Sequence, residues 1–213
     1  FCDVLRQFAD LARRHRDDTF AQQCDDERRQ LAVQLEANAW DGDWYRRAYF
    51  DNGTALGSTD SVECQIDSIA QSWAVLSGVG EPQRVRRAMA SMADRLVRPD
   101  AGLVQLLAPP FDRQGPNPGY IAGYVPGVRE NGGQYTHGAV WAAMAFAALG
   151  DAPRAWALMD IFNPLHHGRT AAGFAHDGDL AAVVGDDAPG QAETEAEAAA
   201  GFAAREERVE EVG

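Results

Sequence analysis

Apolar residues at Phe1, Val4, Leu5, Phe8, Leu11 and Ala12 recur every three or four positions, the spacing that lines one face of an α-helix. Leu31 and Leu35 continue that period after the acidic run Asp25-Asp26-Glu27, so the first forty residues predict two helices or one broken one. Residues 41–57 mix aromatics, glycines and charges without period. DSIAQSWAVLSGVGEPQRVRRAMASMADRLV (67–97) then reads as helix, turn and helix, with Val85, Met89, Met92 and Leu96 on one face and the turn marked by Gly78, Gly80 and Pro82. AVWAAMAFAALGDAPRAWALMDIF (139–162) repeats that layout: a helix beginning near Thr136, a Gly-acid-Pro style turn and a second helix. Met144, Leu149, Trp156 and Leu158 give this hairpin apolar surface to bury.

Gly80 and Gly150 stand in equivalent turns, seventy residues apart. Helical hairpins separated by a long polar insertion predict an all-α fold of repeated αα units whose long loops at one end carry function. A solenoid of about 34-residue repeats would give a shorter period, so an α/α toroid fits better. From Ala171 on the pattern fades into Ala, Glu, Asp and Gly with few large apolar groups, too little surface to offset the entropy of ordering. Residues 168–213 are therefore expected to be a poorly ordered acidic tail. Gln191 to Val212 would form at most a solvated helix.

Charge sharpens this division. Of a net −13 over 213 residues, eleven acids against two arginines fall from Ala171 onward. Such a balance repels nucleic acid and anionic membrane surfaces, so neither is expected as a partner. No apolar run could span a bilayer, and Phe1 opens without a signal-peptide layout, which predicts a soluble, cytoplasmic chain that starts in mid-domain. Cys2, Cys24 and Cys64 show no CxxC or Cys/His spacing, so they read as reduced, buried thiols, with no metal site expected.

Three stretches could carry chemistry. AWDGDWYRRAYFDNGTALGS (39–58) sets Trp44 and its aromatic neighbours beside Asp41, Asp43, Asp51, Arg46 and Arg47. Aromatic faces with carboxylates and guanidinium groups are what a carbohydrate cleft requires, because a sugar has apolar faces and a polar rim; a structured loop packed on a core would look the same. STDSVECQIDSIAQSWAVLSG (58–78) places Asp67 and Gln71 four apart with Glu63 one turn earlier, an arrangement open to paired-carboxylate chemistry or to helix capping by acids near Asp60 and Ser61. GYVPGVRENGGQYTHGAVW (123–141) gathers Arg129, Glu130, Asn131, Gln134 and His137 around Gly132 and Gly133, just before the helix start near Thr136. Free N–H groups there suit an anion such as phosphate, which His137 could also contact; capping is its alternative role.

In order, WDGDWYRRAYFDNGTALGS, ECQIDSIAQSWAVLSG, PPFD, NPGYIAGYVPGVRENGGQYTHGAVW and NPLHH resemble glycoside hydrolase family 94, the inverting disaccharide and oligoglucan phosphorylases. They are most similar to the phosphorylase-like domain of cyclic β-1,2-glucan synthases and to 1,2-β-oligoglucan phosphorylases. The resemblance runs from residue 1 to about residue 167. It implies part of an (α/α)₆ barrel over 1–167, with β-glucan or glucooligosaccharide and inorganic phosphate as partners, phosphate serving as co-substrate without a further cofactor. It implies His137 as a phosphate contact and Arg129, Glu130, Gln134, Trp44, Arg47, Asp43 and Glu63 as substrate contacts. The implied reaction is attack of phosphate on the anomeric carbon with inversion, giving α-glucose 1-phosphate. Any membrane tie would come only through a larger parent protein, an inner-membrane synthase with this domain on its cytoplasmic side.

The resemblance has two gaps. The family's general-acid aspartate belongs to a GDWND-type motif that this sequence lacks; GDW at 42–44 is followed by YRR, so the acid role does not pass to Asp43. A GWTWYTGSAGW-type segment with a phosphate-contacting Thr is also missing. The chain is thus expected to be a fragment, without phosphorolytic turnover by itself; a non-catalytic carbohydrate-binding or defective helical remnant is the alternative.

Overall fold

The computed structural model describes residues 1–112 and 115–167. The chain divides into two units, Phe1–Asn163 and Pro164–Gly213. The expectations for the tail from residue 168, including the helix over 191–212, lie outside the described residues.

The first unit is built mainly of helices. α1 (Cys2–Arg14) and α2 (Asp18–Asn38) are two helices with a break between them, where Arg16 turns left-handed at φ 60° and Asp17 accepts a hydrogen bond from the Phe20 N–H at 3.0 Å to cap α2. They pack through small residues, Ala9 and Ala12 against Ala21 and Cys24. α3 (Ser68–Leu76) and α4 (Pro82–Leu96) make the second hairpin, α5 (Thr136–Ala148) and α6 (Ala152–Ile161) the third. The expected equivalence of the last two turns extends to their chemistry. After Gly80, the Glu81 carboxylate accepts from the N–H groups of Gln83 and Arg84; after Gly150, Asp151 accepts from Arg154 N–H. In both, a proline in the first turn occupies a place whose N–H would go unused. A short helix α7 (Pro164–His167) belongs to the second unit.

Val85, Met89, Met92 and Leu96 are all buried, as their spacing requires, and join Phe146 and Leu158 in the main core. α5 packs against α3, with Gly138, Ala139 and Ala142 buried; a side chain at Gly138 would meet Leu106 at 3.0 Å and Ser68 of α3 at 3.6 Å. Two expected core residues stand outside: Met144 and Trp156 are 51% and 69% exposed. They lie on the faces of α5 and α6 turned away from the apolar cluster.

The all-α expectation needs one amendment. The loops between hairpins carry three two-residue antiparallel pairings: β1 (Ala48–Tyr49) with β2 (Ala55–Leu56), β3 (Ile66–Asp67) with β6 (Leu107–Ala108), and β4 (Val97–Arg98) with β5 (Leu103–Val104). β3 leads straight into α3, so the β3–β6 pairing ties the helix start to the 107–112 loop.

Candidate functional site

β1 is preceded by Arg47, and this stretch is clamped from several sides. Asp41, almost wholly buried, accepts from Arg46 Nε at 2.7 Å, Ser58 Oγ at 3.0 Å and the Thr59 N–H at 2.6 Å, closing the 39–59 loop on itself. Burial alone would raise its pKa; the bonds from Thr59, Arg46 and Ser58 outweigh burial and hold the carboxyl below its ordinary range. Gly57, at φ 81°, lets Arg47 approach: a Cβ there would fall 2.5 Å from the Arg47 nitrogen.

The glycine-rich stretch before α5 is organised by Asn131, which is fully buried. Its amide donates to the carbonyls of Phe111 and Tyr124, and its Oδ1 accepts from the Phe111 N–H. Gly132 and Gly133 answer a steric need: a Cβ on Gly133 would sit 2.7 Å from the Gly127 carbonyl oxygen, and one on Gly132 2.9 Å from Pro110. Two glycines thus let the chain fold tightly beside Arg129, itself left-handed at φ 49°.

These loops enclose an open cleft of about 530 Å³. Arg47, Glu130 and His137 line it together with Asp67, Tyr120 and Tyr135. His137 is exposed near the N-terminal end of α5. Its ring stands edge-on to Tyr135 at 4.4 Å and to Trp141 at 4.8 Å, and Trp141 rests on Trp73 of α3. It makes no capping hydrogen bond; the N-cap is Tyr135. The Tyr120 hydroxyl donates to Glu130 Oε1 at 3.4 Å, and the Glu130 charge raises the tyrosine's pKa. Glu130 Oε2 has no hydrogen bond and lies 3.8 Å from Arg129 Nε.

The other expected contacts have partners within the chain. Trp44 is 1% exposed, its indole N–H bound to the carbonyls of Gly57 and Gln65 and its ring covered by Arg95, so it offers no face to a sugar. Asp43 pairs with Arg87 of α4 and does not line the cleft. Gln134 accepts from the Val104 N–H at 2.8 Å, and Glu63 accepts from the N–H groups of Asp112 and Gly115 at 2.5 and 3.0 Å. Arg129 is held over the ring of Tyr124. Nor do Glu63, Asp67 and Gln71 share a helix. α3 begins at Ser68, Asp67 is its N-cap in place of Asp60 or Ser61, Gln71 turns inward to the Tyr45 backbone, and Glu63 stays in the preceding loop. Tyr120 and Tyr135 are further cleft residues, aromatics that stand near the glycine-rich stretch in sequence; Asn131 left no signal of its structural role beyond its place before two glycines.

Cys2, Cys24 and Cys64 are free and buried. Burial, then the neighbouring Asp67 charge, pushes the Cys64 thiol's pKa upward, which makes it a poor nucleophile. Among the described residues no three His, Cys, Asp or Glu side chains gather to hold a metal, and no helix is long and apolar enough to cross a membrane.

The model of the glycosyl hydrolase 94 superfamily catalytic domain matches residues 1–204. The chain belongs to glycosyl hydrolase family 94. This match runs past residue 167, into the segment set apart by composition. The chain is 46% identical over 164 residues to the cyclic beta-(1,2)-glucan synthase NdvB of Rhizobium meliloti (strain 1021), covering 77% of this chain and 6% of that protein. It is 36% identical over 152 residues to the solabiose phosphorylase of Paenibacillus borealis, covering 69% of this chain and 19% of that enzyme. It is 30% identical over 163 residues to the N,N'-diacetylchitobiose phosphorylase of Vibrio proteolyticus, covering 76% and 20%. The chain therefore spans a fifth or less of each of these relatives.

Proposed function

We propose that this family 94 chain forms part of an (α/α)₆ barrel whose cleft binds a β-glucan or glucooligosaccharide end beside inorganic phosphate. The observation that carries the reading is convergence. Arg47, from the 39–58 stretch, and Glu130 and His137, from the 123–141 stretch, line one open cleft with Tyr120 and Tyr135. A guanidinium and a carboxylate suit sugar hydroxyls, a tyrosine ring suits a sugar face, and an imidazole N–H suits a phosphate oxygen. The similarity to a β-1,2-glucan synthase and to phosphorylases supports the same substrate class.

In the complete catalytic domain, a phosphate oxygen attacks the anomeric carbon as the glycosidic C–O bond breaks. A carboxylic acid outside residues 1–213 supplies the proton that the departing oxygen takes up, and α-glucose 1-phosphate leaves with inverted configuration. The role of this chain's residues is to orient: His137 toward phosphate, Arg47 and Glu130 toward hydroxyls. A general acid contributes about a hundred- to ten-thousandfold, so the isolated chain binds sugar without turning it over. Incubation with β-1,2-glucooligosaccharides and phosphate tests this: saturable sugar binding without glucose 1-phosphate is expected, and turnover near that of whole phosphorylases would contradict it.

A further inference from the structure

Asp67 is a buried carboxylate at the cleft that the reading above does not use. Its side chain is 5% exposed, and its two oxygens have divided tasks. Oδ1 accepts from the N–H groups of Ile69 at 2.7 Å and Ala70 at 3.4 Å, capping α3. Oδ2 lies 3.3 Å from Nε of Arg47. Among the described residues, neither terminal amine of that guanidinium makes a hydrogen bond, and the side chain is 43% exposed at the cleft wall.

The backbone beside Arg47 is pinned from the same helix. Gln71 of α3, wholly buried, accepts from the Tyr45 N–H at 2.8 Å and donates to its carbonyl at 2.9 Å. Below it, the Arg47 N–H bonds the Leu56 carbonyl at 2.8 Å in the space that Gly57 leaves open. Only the long side chain remains to be ordered, and a free arginine carries about 2 kcal/mol of rotamer entropy. A carboxylate 3.3 Å from Nε favours one placement of the side chain by charge and leaves both terminal amines for a ligand.

We propose that Asp67 is a positioning residue: through its ion pair with Nε it holds Arg47 ready to donate both terminal amines to vicinal sugar hydroxyls in the cleft. The proposal rests on the reading that Arg47 contacts sugar. Capping alone would need one oxygen and no cation; the second oxygen, buried beside a partly exposed guanidinium, is what capping leaves unexplained.

The test uses the full 213-residue chain, β-1,2-linked glucotriose, and the variants Asp67→Asn, Arg47→Ala and the pair combined. Asparagine keeps the capping oxygen, so folding is retained. Asp67→Asn should bind the triose about two- to tenfold more weakly, the entropic cost of one newly immobilised side chain, and should add nothing in the Arg47→Ala background. A second, ligand-free measurement is the heteronuclear NOE at Arg47 Nε, which should drop in Asp67→Asn while Arg6 Nε stays unchanged. An unchanged Arg47 NOE, or a loss of affinity that persists without Arg47, overturns the proposal. If Arg47→Ala weakens binding and Asp67→Asn does not, the proposal alone falls. If Arg47→Ala leaves binding intact, the functional reading of Arg47 falls and takes the proposal with it.

Discussion

The side-chain amide of Asn131 and the backbone of Phe111 are joined by two reciprocal hydrogen bonds, 2.6 and 2.8 Å long, between stretches twenty residues apart. This pairing anchors the loop that presents Glu130 and leads to His137. Asn131→Ala leaves the buried Phe111 N–H and the Tyr124 and Phe111 carbonyls without their partner, so stability should fall by about 1–3 kcal/mol. Asn131→Asp should cost at least as much, because it aims a carboxylate at two carbonyl oxygens. Urea unfolding of both variants checks this.

Gly133→Ala should be worse tolerated than Gly150→Ala. At Gly133 a methyl group would press on the carbonyl oxygens of Gly127 and Arg129, which are backbone and cannot swing away; at Gly150 the space is open and only the positive φ opposes. Thermal melts of the two variants should therefore separate clearly, Gly133→Ala the lower.

Trp44 and Tyr120 make a paired test of what is scaffold and what is cleft. Trp44→Phe removes an N–H that serves one buried and one half-buried carbonyl, so it should lose about 1–3 kcal/mol of stability. Tyr120→Ala removes a ring that is 70% exposed, and should leave the melting temperature nearly unchanged while weakening glucooligosaccharide binding. The reverse pattern would return Trp44 to the sugar-contact role.

Stability should change with pH in opposite senses at different carboxyls. Burial would raise the pKa of Glu36, but the Tyr45 hydroxyl, the Glu81 N–H and Arg84 outweigh it; Asp41 is held low in the same way. The contributions of both are present above the unfolded value of about 4 and fade as pH falls through their folded values. Burial raises Asp67, opposed only in part by Arg47 and the Ile69 and Ala70 N–H groups, so its contribution is present below about 4 and is lost as pH rises. Denaturation between pH 3 and 7 should show a flatter acid limb in Asp41→Asn and a steeper rise with pH in Asp67→Asn.

The helices were legible because their physics is local. Val85, Met89, Met92 and Leu96 repeat at helical spacing, and an acid followed within two residues by a proline after Gly80 and Gly150 announces a turn into a helix. The two-residue strands were not, since pairings such as Ile66 with Ala108 depend on a partner some forty residues away. The cleft was legible in part. The polar groups gathered around Gly132 and Gly133 marked the stretch, and two of them, Glu130 and His137, line the cleft. Trp44, Gln134 and Glu63 carry the same chemistry whether they face a sugar or a backbone N–H, and composition does not say which way a side chain turns.

The central claim is that one cleft holds sugar and phosphate on different residues, Arg47 and His137. Its most direct test is calorimetric titration of the chain with β-1,2-linked glucotriose and, separately, inorganic phosphate, in the wild type, Arg47→Ala and His137→Ala. The account predicts that Arg47→Ala weakens the triose more than phosphate and that His137→Ala weakens phosphate more than the triose. Equal effects of the two variants on both ligands, or no saturable binding of either by the wild type, would contradict it.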